Sequence, residues 1–506
     1  MPKTDPVQKK ADMLKWQPDP TAVQLIPEVM ARKYNAMPLA VEDDTLRVAM
    51  ANPTDIFALE AMASHSQMRV EPEAAGLEEI LEAIDFNYKA YDEIEKQVSN
   101  ISLQGGQATI DPFKIESTVD APVAQALSLI IDEAVKARTS DIHLQPEEDK
   151  LRVRYRIDGS LHDMFSLPLA TATPLVSRIK VLASMNIADH HRPQDGQFSI
   201  KTNNRLIDIR VATIATVYGE MAVLRLLDKR RATLTLPELG FLHGSLEKYE
   251  SMLKVPYGML LVSGPTGAGK TTTLYASLNT LDRVARNIIT IEDPVEYRFK
   301  NINQIQVNPR SGITFASGLR SILRLDPDVV LVGEIRDAET ANIAVQAALT
   351  GHLVLSSIHA NDAIGVVMRL VDLGVEPFLV SSALIGVVAQ RMVRQICPNC
   401  GRPVEVPTIE QISYARETGE DRHEFHYGAG CNACSNSGYR GRTGIFEILA
   451  ISDAIRTMIL KEATATELHS QAIKEGMLTL MRDGMLKVKE NITTPSEVLR
   501  NAYTVE

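Results

Sequence analysis

Apolar positions change their spacing several times along the chain, and each change marks a change of element. From Pro20 to Val98 helical spacing alternates with short strand-like runs. Leu46 to Ala51 reads as a strand, and Asn52-Pro53-Thr54-Asp55 reads as a turn with a helix start. The pattern predicts a compact α+β domain over residues 1–98, closed by a charged helix from Gly76 to Val98 with Leu77, Ile80, Leu81 and Ile84 at helical spacing. The stretch Ser99 to Ser117 is rich in Ser, Gly and Gln and reads as a flexible linker, residues 99–117. A second α+β domain is expected over 118–230. It opens with an apolar helix from Pro122 to Ala137 and continues with the alternating run Leu151 to Ile157, which meets the hairpin signal Asp158-Gly159. Arg205 to Leu227 is again strand-like, broken at Tyr218-Gly219. This predicts helices covering one face of a mostly antiparallel sheet. The charged link Asp228 to Arg231, with Pro237 and Gly240, sets a boundary at 231–243, and the remaining unit, 244–506, carries short unbroken apolar runs of the kind buried in α/β sheets. No internal repeat is visible, which argues against a solenoid.

Composition narrows this picture. With 45% hydrophobic and 23% charged residues, 28 Gly and 25 Pro among 506, the chain has an ordinary globular profile that excludes disorder, collagen and mini-protein scaffolds. At roughly 150 residues per domain its length implies three or four domains. The formal charge is −11, of which residues 1–100 hold −8, so the remainder is close to neutral and no basic surface for gripping nucleic acid is indicated. The amino terminus lacks the apolar segment of a secretory signal. The best candidate for a span, Phe378 to Ala389, stops at Gln390-Arg391, short of the ~18 apolar residues a membrane span needs. The expectation is a cytoplasmic protein with no direct membrane span, any membrane role passing through a partner.

The chemistry begins where the apolar run Gly258 to Ser263 meets Gly264-Pro265-Thr266-Gly267-Ala268-Gly269-Lys270-Thr271, with Thr272 following and helix-forming residues beyond. This is G-x-x-x-x-G-K-[ST] in the strand, loop, helix context it requires. The glycines let backbone N–H groups face a polyphosphate at a helix N-terminus, Lys270 meets the β and γ phosphates, and Thr271 offers a hydroxyl to Mg²⁺. Pro327 to Val332 reads as a second buried strand, ending in Gly333-Glu334. A usual Walker B strand ends in a metal-holding aspartate; here Gly333 takes that place, and Glu334 is positioned to polarise the attacking water, directly or through the metal. A further acidic group, Glu292-Asp293-Pro294-Val295-Glu296, follows Ile288 to Ile291 and is expected to supply metal or water contacts, with helix capping as the rival role for Asp293. His352 and His359 bracket another strand seven residues apart, which puts them on opposite faces. His359, beside Asn361 and Asp362, is the candidate γ-phosphate sensor, with a structural histidine as the alternative.

The four cysteines fall into the pairs Cys397-Pro-Asn-Cys400 and Cys431-Asn-Ala-Cys434. Two such pairs read as a closed tetrathiolate Zn²⁺ site of structural type, with a redox Cys-x-x-Cys as the rival.

Together, the loop at 264–271, the acidic box at 292–296, Asp326 to Asp337 and the histidine box at 350–362 resemble, in order, the secretion-superfamily traffic ATPases, and within them the type II secretion and type IV pilus assembly ATPases. The likeness runs along nearly the whole chain, including Thr139 to Leu144 and Arg192 to Gly196. It implies a multi-domain α+β and α/β protein: a RecA-like P-loop ATPase core, a PAS-like second domain, a small amino-terminal domain and an inserted zinc module at about 395–440. It also implies a cytoplasmic homohexamer, peripheral to the inner membrane, whose ATP hydrolysis drives a membrane platform protein to assemble a pilus or pseudopilus. Arg210 and Arg225 match the family's arginines that reach from the second domain to the phosphates, a role suited to guanidinium. The zinc module places the chain with the assembly and secretion branch, since retraction ATPases typically lack it. The segments Leu25 to Tyr34, Pro38 to Val41 and Leu46 to Pro53 resemble the family's amino-terminal domain, which docks a membrane-anchored partner. Some relatives bind a cyclic dinucleotide there through an Arg-Leu-Gly-containing segment, and no such segment precedes Leu25. Two other classes compete: a hexameric nucleic-acid motor, disfavoured by the acidic balance and single Trp, and a nucleotide-gated scaffold with little turnover, motivated by Gly333 at the Walker B position.

Overall fold

The computed structural model describes residues 18–42, 44–77, 80–81, 83–84, 88, 121–202, 205–227 and 234–502. The expected linker at 99–117 and the charged link Asp228 to Arg231 lie outside them.

The first unit is a three-stranded sheet, β1 (Ala36–Glu42), β2 (Thr45–Met50) and β3 (Arg69–Ala74), with β1 antiparallel and β3 parallel to the central β2. Helices α1 (Pro20–Gln24), α2 (Glu28–Tyr34) and α3 (Ile56–Ser66) pack with it. Asp55 starts α3 by accepting from Ala58 N, as the Asn-Pro-Thr-Asp signal predicts. In the following helical stretch Ile80 and Ile84 are buried while Leu77 and Leu81 face outward, so the apolar stripe is narrower than the sequence spacing suggests.

The second unit is a fully antiparallel six-stranded sheet in the order β6-β5-β4-β9-β8-β7. Its strands are β4 (Asp141–Pro146), β5 (Lys150–Ile157), β6 (Ser160–Pro168), β7 (Gln194–Thr202), β8 (Arg205–Thr216) and β9 (Gly219–Leu227). Helices α4 (Ala121–Lys136) and α5 (Ala172–Leu182) share one core with the inner face, where Leu151, Val153, Tyr155 and Ile157 alternate inward. Strand alternation therefore puts Arg156, Asp141, Arg225 and Arg210 on the opposite face. Cross-strand register aligns them in one row, Arg156↔Asp141↔Arg225↔Arg210.

The third unit holds a seven-stranded sheet ordered β12-β11-β13-β14-β10-β15-β18. Strands β10 (Gly258–Ser263), β11 (Ile288–Glu292), β12 (Asn303–Gln306), β13 (Val329–Ile335), β14 (Leu353–Ile358) and β15 (Leu384–Ile396) are parallel, and only β18 (Tyr439–Ala450) runs against its neighbour. Every residue of β10 and β14 is buried, because helices cover both faces. On one face pack α6 (His243–Leu253) and α7 (Lys270–Thr280). The other face holds α8 (Phe315–Ile322), α9 (Ala338–Leu349), α10 (Ala363–Asp372), α11 (Pro377–Ala383), α13 (Asp453–Leu460) and α14 (Ala465–Lys474). Between β15 and β18 the chain builds the ribbon β16 (Gly401–Glu405) and β17 (Glu424–Gly428) with α12 (Thr408–Thr418), packed on α15 (Leu480–Lys489) and α16 (Pro495–Ala502). The apolar run Phe378 to Ala389 is split between α11 and β15, and no described helix is long and apolar enough to cross a membrane. The architecture is a multi-domain α/β core with an α+β second unit and a cysteine module.

Candidate functional site

A cleft of about 790 Å³ opens between the second and third units, at the carboxyl ends of the parallel strands. Its floor is the loop between β10 and α7. Gly264 has φ +148, and a Cβ there would lie 2.4 Å from the Gln390 carbonyl oxygen, so β15 comes too close for any side chain. Lys270 opens α7 and donates to the carbonyls of Gly264 (2.7 Å) and Pro265 (3.1 Å), which curls the loop around its ammonium. Burial lowers the Lys270 pKa, an effect countered by the Glu334 carboxylate. Gln390 secures the loop from behind, accepting from the Thr273 hydroxyl (2.7 Å) and donating to Ala268 O (2.5 Å). In the sequence Gln390 appears only as the polar residue that ends an apolar run. Such an interruption inside a buried strand is the signal that marks it.

Glu334 sits where the β13–β14 ladder shifts register, between Val332 and Ile335, so it leaves the pleat and turns into the cleft. Gly333 stands before it because a Cβ there would press on the β11 backbone, 3.3 Å from both Glu292 Cα and Ile291 O. Arg336 Nε lies 2.6 Å from Glu334 Oε2 and His359 Nε2 lies 3.7 Å from the same oxygen. Burial, then the Lys270 ammonium, hold His359 below the usual imidazole range, against the pull of the Glu334 carboxylate, and so favour the neutral ring. His352 is elsewhere, its Nδ1 2.9 Å from Ala347 O at the end of α9. Asp362 caps α10 by accepting from Gly365 N (2.6 Å), and Arg391 holds the same turn through Asn361 O (2.5 Å).

The acidic box divides into unlike members. Glu292 is buried at 4% exposure, and its carboxylate accepts from the Tyr275 hydroxyl, the Thr290 hydroxyl (2.5 Å) and Gln304 Nε2 (3.1 Å). Asp293 caps no helix. Glu296 reaches the second unit: Arg210 Nη1 is 2.8 Å from its Oε2, and Arg210 Nη2 donates to Val295 O (3.1 Å). Arg225 pairs with Asp141 instead, at 2.9 Å. Burial opposes ionisation of Asp141, yet the Arg225 and Ser140 hydrogen bonds hold its carboxyl below the usual range. Two arginines directly opposite on one sheet face repel, and here each meets a carboxylate. Of the expected residues, the loop 265–272, Glu292, Glu296, Glu334, His359 and Arg225 all line the cleft; Arg210 stands behind Glu296. Tyr275, Asp141 and Arg391 also line the cleft, and Gln390 backs its loop, without having been singled out in the sequence, because their roles depend on which strands become neighbours.

The cysteines form a separate cluster. Cys397 and Cys431 Sγ are 3.8 Å apart, Cys400 and Cys434 Sγ 3.8 Å, and Cys431 and Cys434 Sγ 3.7 Å, with all four within 4.8 Å of one another. A tetrahedral ion with bonds of about 2.3 Å to sulfur has sulfur–sulfur edges of about 3.8 Å, so the donors fit such an ion.

Comparisons with known proteins agree with this geometry. Residues 116–500 match the profile of the family described as Type II/IV secretion system protein, and residues 8–92 match the MshEN domain. The chain is 39% identical over 491 residues to a Type IV pilus assembly ATPase PilB of Myxococcus xanthus, covering 96% of this chain and 87% of that one. It is 48% identical over 386 residues to a Type II secretion system protein E of Pseudomonas aeruginosa, covering 76% of each. Among solved structures, the ADP-bound pilus retraction motor PilT superposes with a TM-score of 0.51 at 26% identity, covering 73% of this chain and 95% of that one. The fold is also shared with the Legionella pneumophila ATPase DotB, with a TM-score of 0.55 at 19% identity over 74% of this chain and 94% of that one.

Proposed function

Since the chain belongs to the type II/IV secretion ATPase family and is an ATP hydrolase, we propose that it works as a cytoplasmic homohexamer peripheral to the inner membrane. There it turns hydrolysis into movement of a platform protein that assembles a type IV pilus or a type II secretion pseudopilus. The observation that carries this reading is a cleft whose two walls belong to different units: the loop 265–272, Glu334 and His359 on one side, Asp141, Arg156 and Arg225 on the other. A phosphate chain seated on the loop draws guanidinium groups toward it, so occupancy and the spacing of the units are linked.

In this reading the loop N–H groups and Lys270 hold the phosphates. Thr271 and Glu334 are the groups that would hold Mg²⁺, which supplies charge neutralisation at the phosphoryl oxygens. Glu334 polarises the attacking water, and His359 senses the γ-phosphate from the adjoining strand end. Arg210 and Arg225 neutralise charge developing on the transferred group. Glu292 and Glu296 complete the acidic rim, Glu292 as a fixed member of the β11 end and Glu296 as the partner of Arg210. The four cysteines would hold Zn²⁺ as a structural crosslink. The domain limits follow the sequence reading, with 1–98 docking a membrane-anchored partner, 118–230 carrying the arginines and 244–506 hydrolysing ATP.

Steady-state ATPase assays on the full chain test the roles. Glu334→Gln is expected to keep nucleotide affinity and to lower kcat by about 100-fold or more. Arg210→Ala is expected to lower kcat with a small change in affinity. Unchanged turnover in either variant overturns the role given to that residue.

A further inference from the structure

We infer that Tyr275 is a positioning residue, joining the phosphate-loop helix to the acidic box and, through Glu296, to Arg210 of the second unit. This rests on the proposed reading of Arg210 and deepens it.

Tyr275 lies on α7, the helix whose first turn carries Lys270 and Thr271. Its hydroxyl donates to Glu292 Oε2 and accepts from Glu296 N at 3.3 Å, so one oxygen touches both ends of the acidic box. The Glu292 contact fixes the carboxyl end of β11, and the Glu296 contact fixes the backbone from which the Arg210 partner projects. Arg210 then grips that short segment twice, at the Glu296 carboxylate (2.8 Å) and at Val295 O (3.1 Å). The unbroken chain of contacts therefore runs from α7 through the Tyr275 hydroxyl and the 292–296 segment to Arg210 on β8. The ring is 2% exposed and meets Phe299 edge-on at 4.9 Å and Tyr297 at 6.2 Å, so its packing does not depend on the hydroxyl. Burial, then the Glu292 carboxylate, push the phenol far above its ordinary range, and it remains a proton donor throughout the working pH range. Thr290 also bonds Glu292, but from within β11, and so makes no link to the phosphate-loop helix.

The test is a double-mutant cycle on kcat in the full chain, with affinity read separately by a fluorescent ATP analogue. Tyr275→Phe is expected to bind nucleotide within about twofold of the unsubstituted chain while kcat falls about tenfold or more. Combining it with Arg210→Ala is expected to cost little beyond the worse single substitution, because both break one path. Thr290→Val, which disturbs the same carboxylate off the path, is expected to multiply with Arg210→Ala. Multiplicative losses for Tyr275→Phe with Arg210→Ala overturn the assignment of Tyr275 alone, as does unchanged kcat in Tyr275→Phe. A wild-type rate in Arg210→Ala overturns the reading of Arg210 and this inference with it.

Discussion

At the scale of single residues, the third unit spends polar groups in its core where they secure the cleft. Glu447 on β18 is 3% exposed and accepts from Ala363 N at 2.8 Å, at the start of the helix that follows the histidine box. Burial pushes its carboxyl up to about 7, with Asp362 nearby adding to the shift. A carboxyl whose folded pKa is raised favours the folded state while protonated, and that stability is lost as pH climbs from the ordinary carboxylate range through about 7. Glu447→Gln keeps an acceptor for Ala363 N and removes the titration. It is expected to stabilise the protein above pH 7, by on the order of 3 kcal/mol at most, and to leave it nearly unchanged at about pH 4, below the ordinary carboxylate pKa. Thermal melts of both forms across that range check this. Buried Asp483 and Lys487, by contrast, neutralise each other at 2.5 Å, and Lys487 also donates to Gly444 O. That pair holds α15 against β18 and has no access to the cleft.

At the scale of elements, the cysteine module shows how little of its own core a short insertion owns. Val404, Phe425 and Tyr427 of the ribbon share a cluster with Val393, Ile445, Met485 and Val498 of the strands and helices beneath. The sulfur tetrahedron closes the open end of the ribbon, beside Cys397 N, which bonds Gly438 O at 3.0 Å. Cys431→Ser is expected to reduce bound zinc from about one ion per chain to a small fraction. It should also destabilise the module by several kcal/mol, in line with loss of a structural metal. Elemental analysis and limited proteolysis between 397 and 440 measure the two effects. Zinc well below one per unsubstituted chain would overturn the assignment.

Element by element, the legible part of the fold was the part written in local pattern. The hairpin at Asp158-Gly159 forms with φ of +48 and +93, and β10, β11 and β13 lie where short apolar runs meet glycine or acidic residues. The loop 264–271 was recognisable because its glycines, lysine and threonine are contiguous. Less legible was the difference between Glu292 and Glu296, four residues apart in one box. One faces the core and the other the second unit, and that depends on β11 lying between β12 and β13 with Tyr275 above it.

At the scale of the whole molecule, polar contacts between the second and third units include two on different elements. One is Arg210 on the 292–296 segment. The other is Asp158, in the β5–β6 turn, which accepts from Gly441 N of β18 at 2.8 Å and has Arg138 Nη2 3.6 Å away. Asp158→Ala removes the second contact without touching the arginine row. It is expected to weaken the contact between units by roughly 1 kcal/mol and to increase the radius of gyration measured by small-angle scattering. An unchanged scattering profile would show that the Asp158 contact does not set the spacing.

Contiguous chemistry was determined by the sequence alone: the phosphate loop, the order of the acidic and histidine boxes, the paired cysteines and the alternation that makes one sheet face polar. These follow from neighbours in the chain and from side-chain periods of two and 3.6, which need no partner to be read. The cross-strand row Arg156, Asp141, Arg225 and Arg210 was decided by the tertiary structure, as were the backing of the loop by Gln390 and the meeting of Tyr275 with both glutamates. Each of these depends on strand order and register, which arise from packing between segments up to more than a hundred residues apart, and no local pattern records which strands will lie side by side.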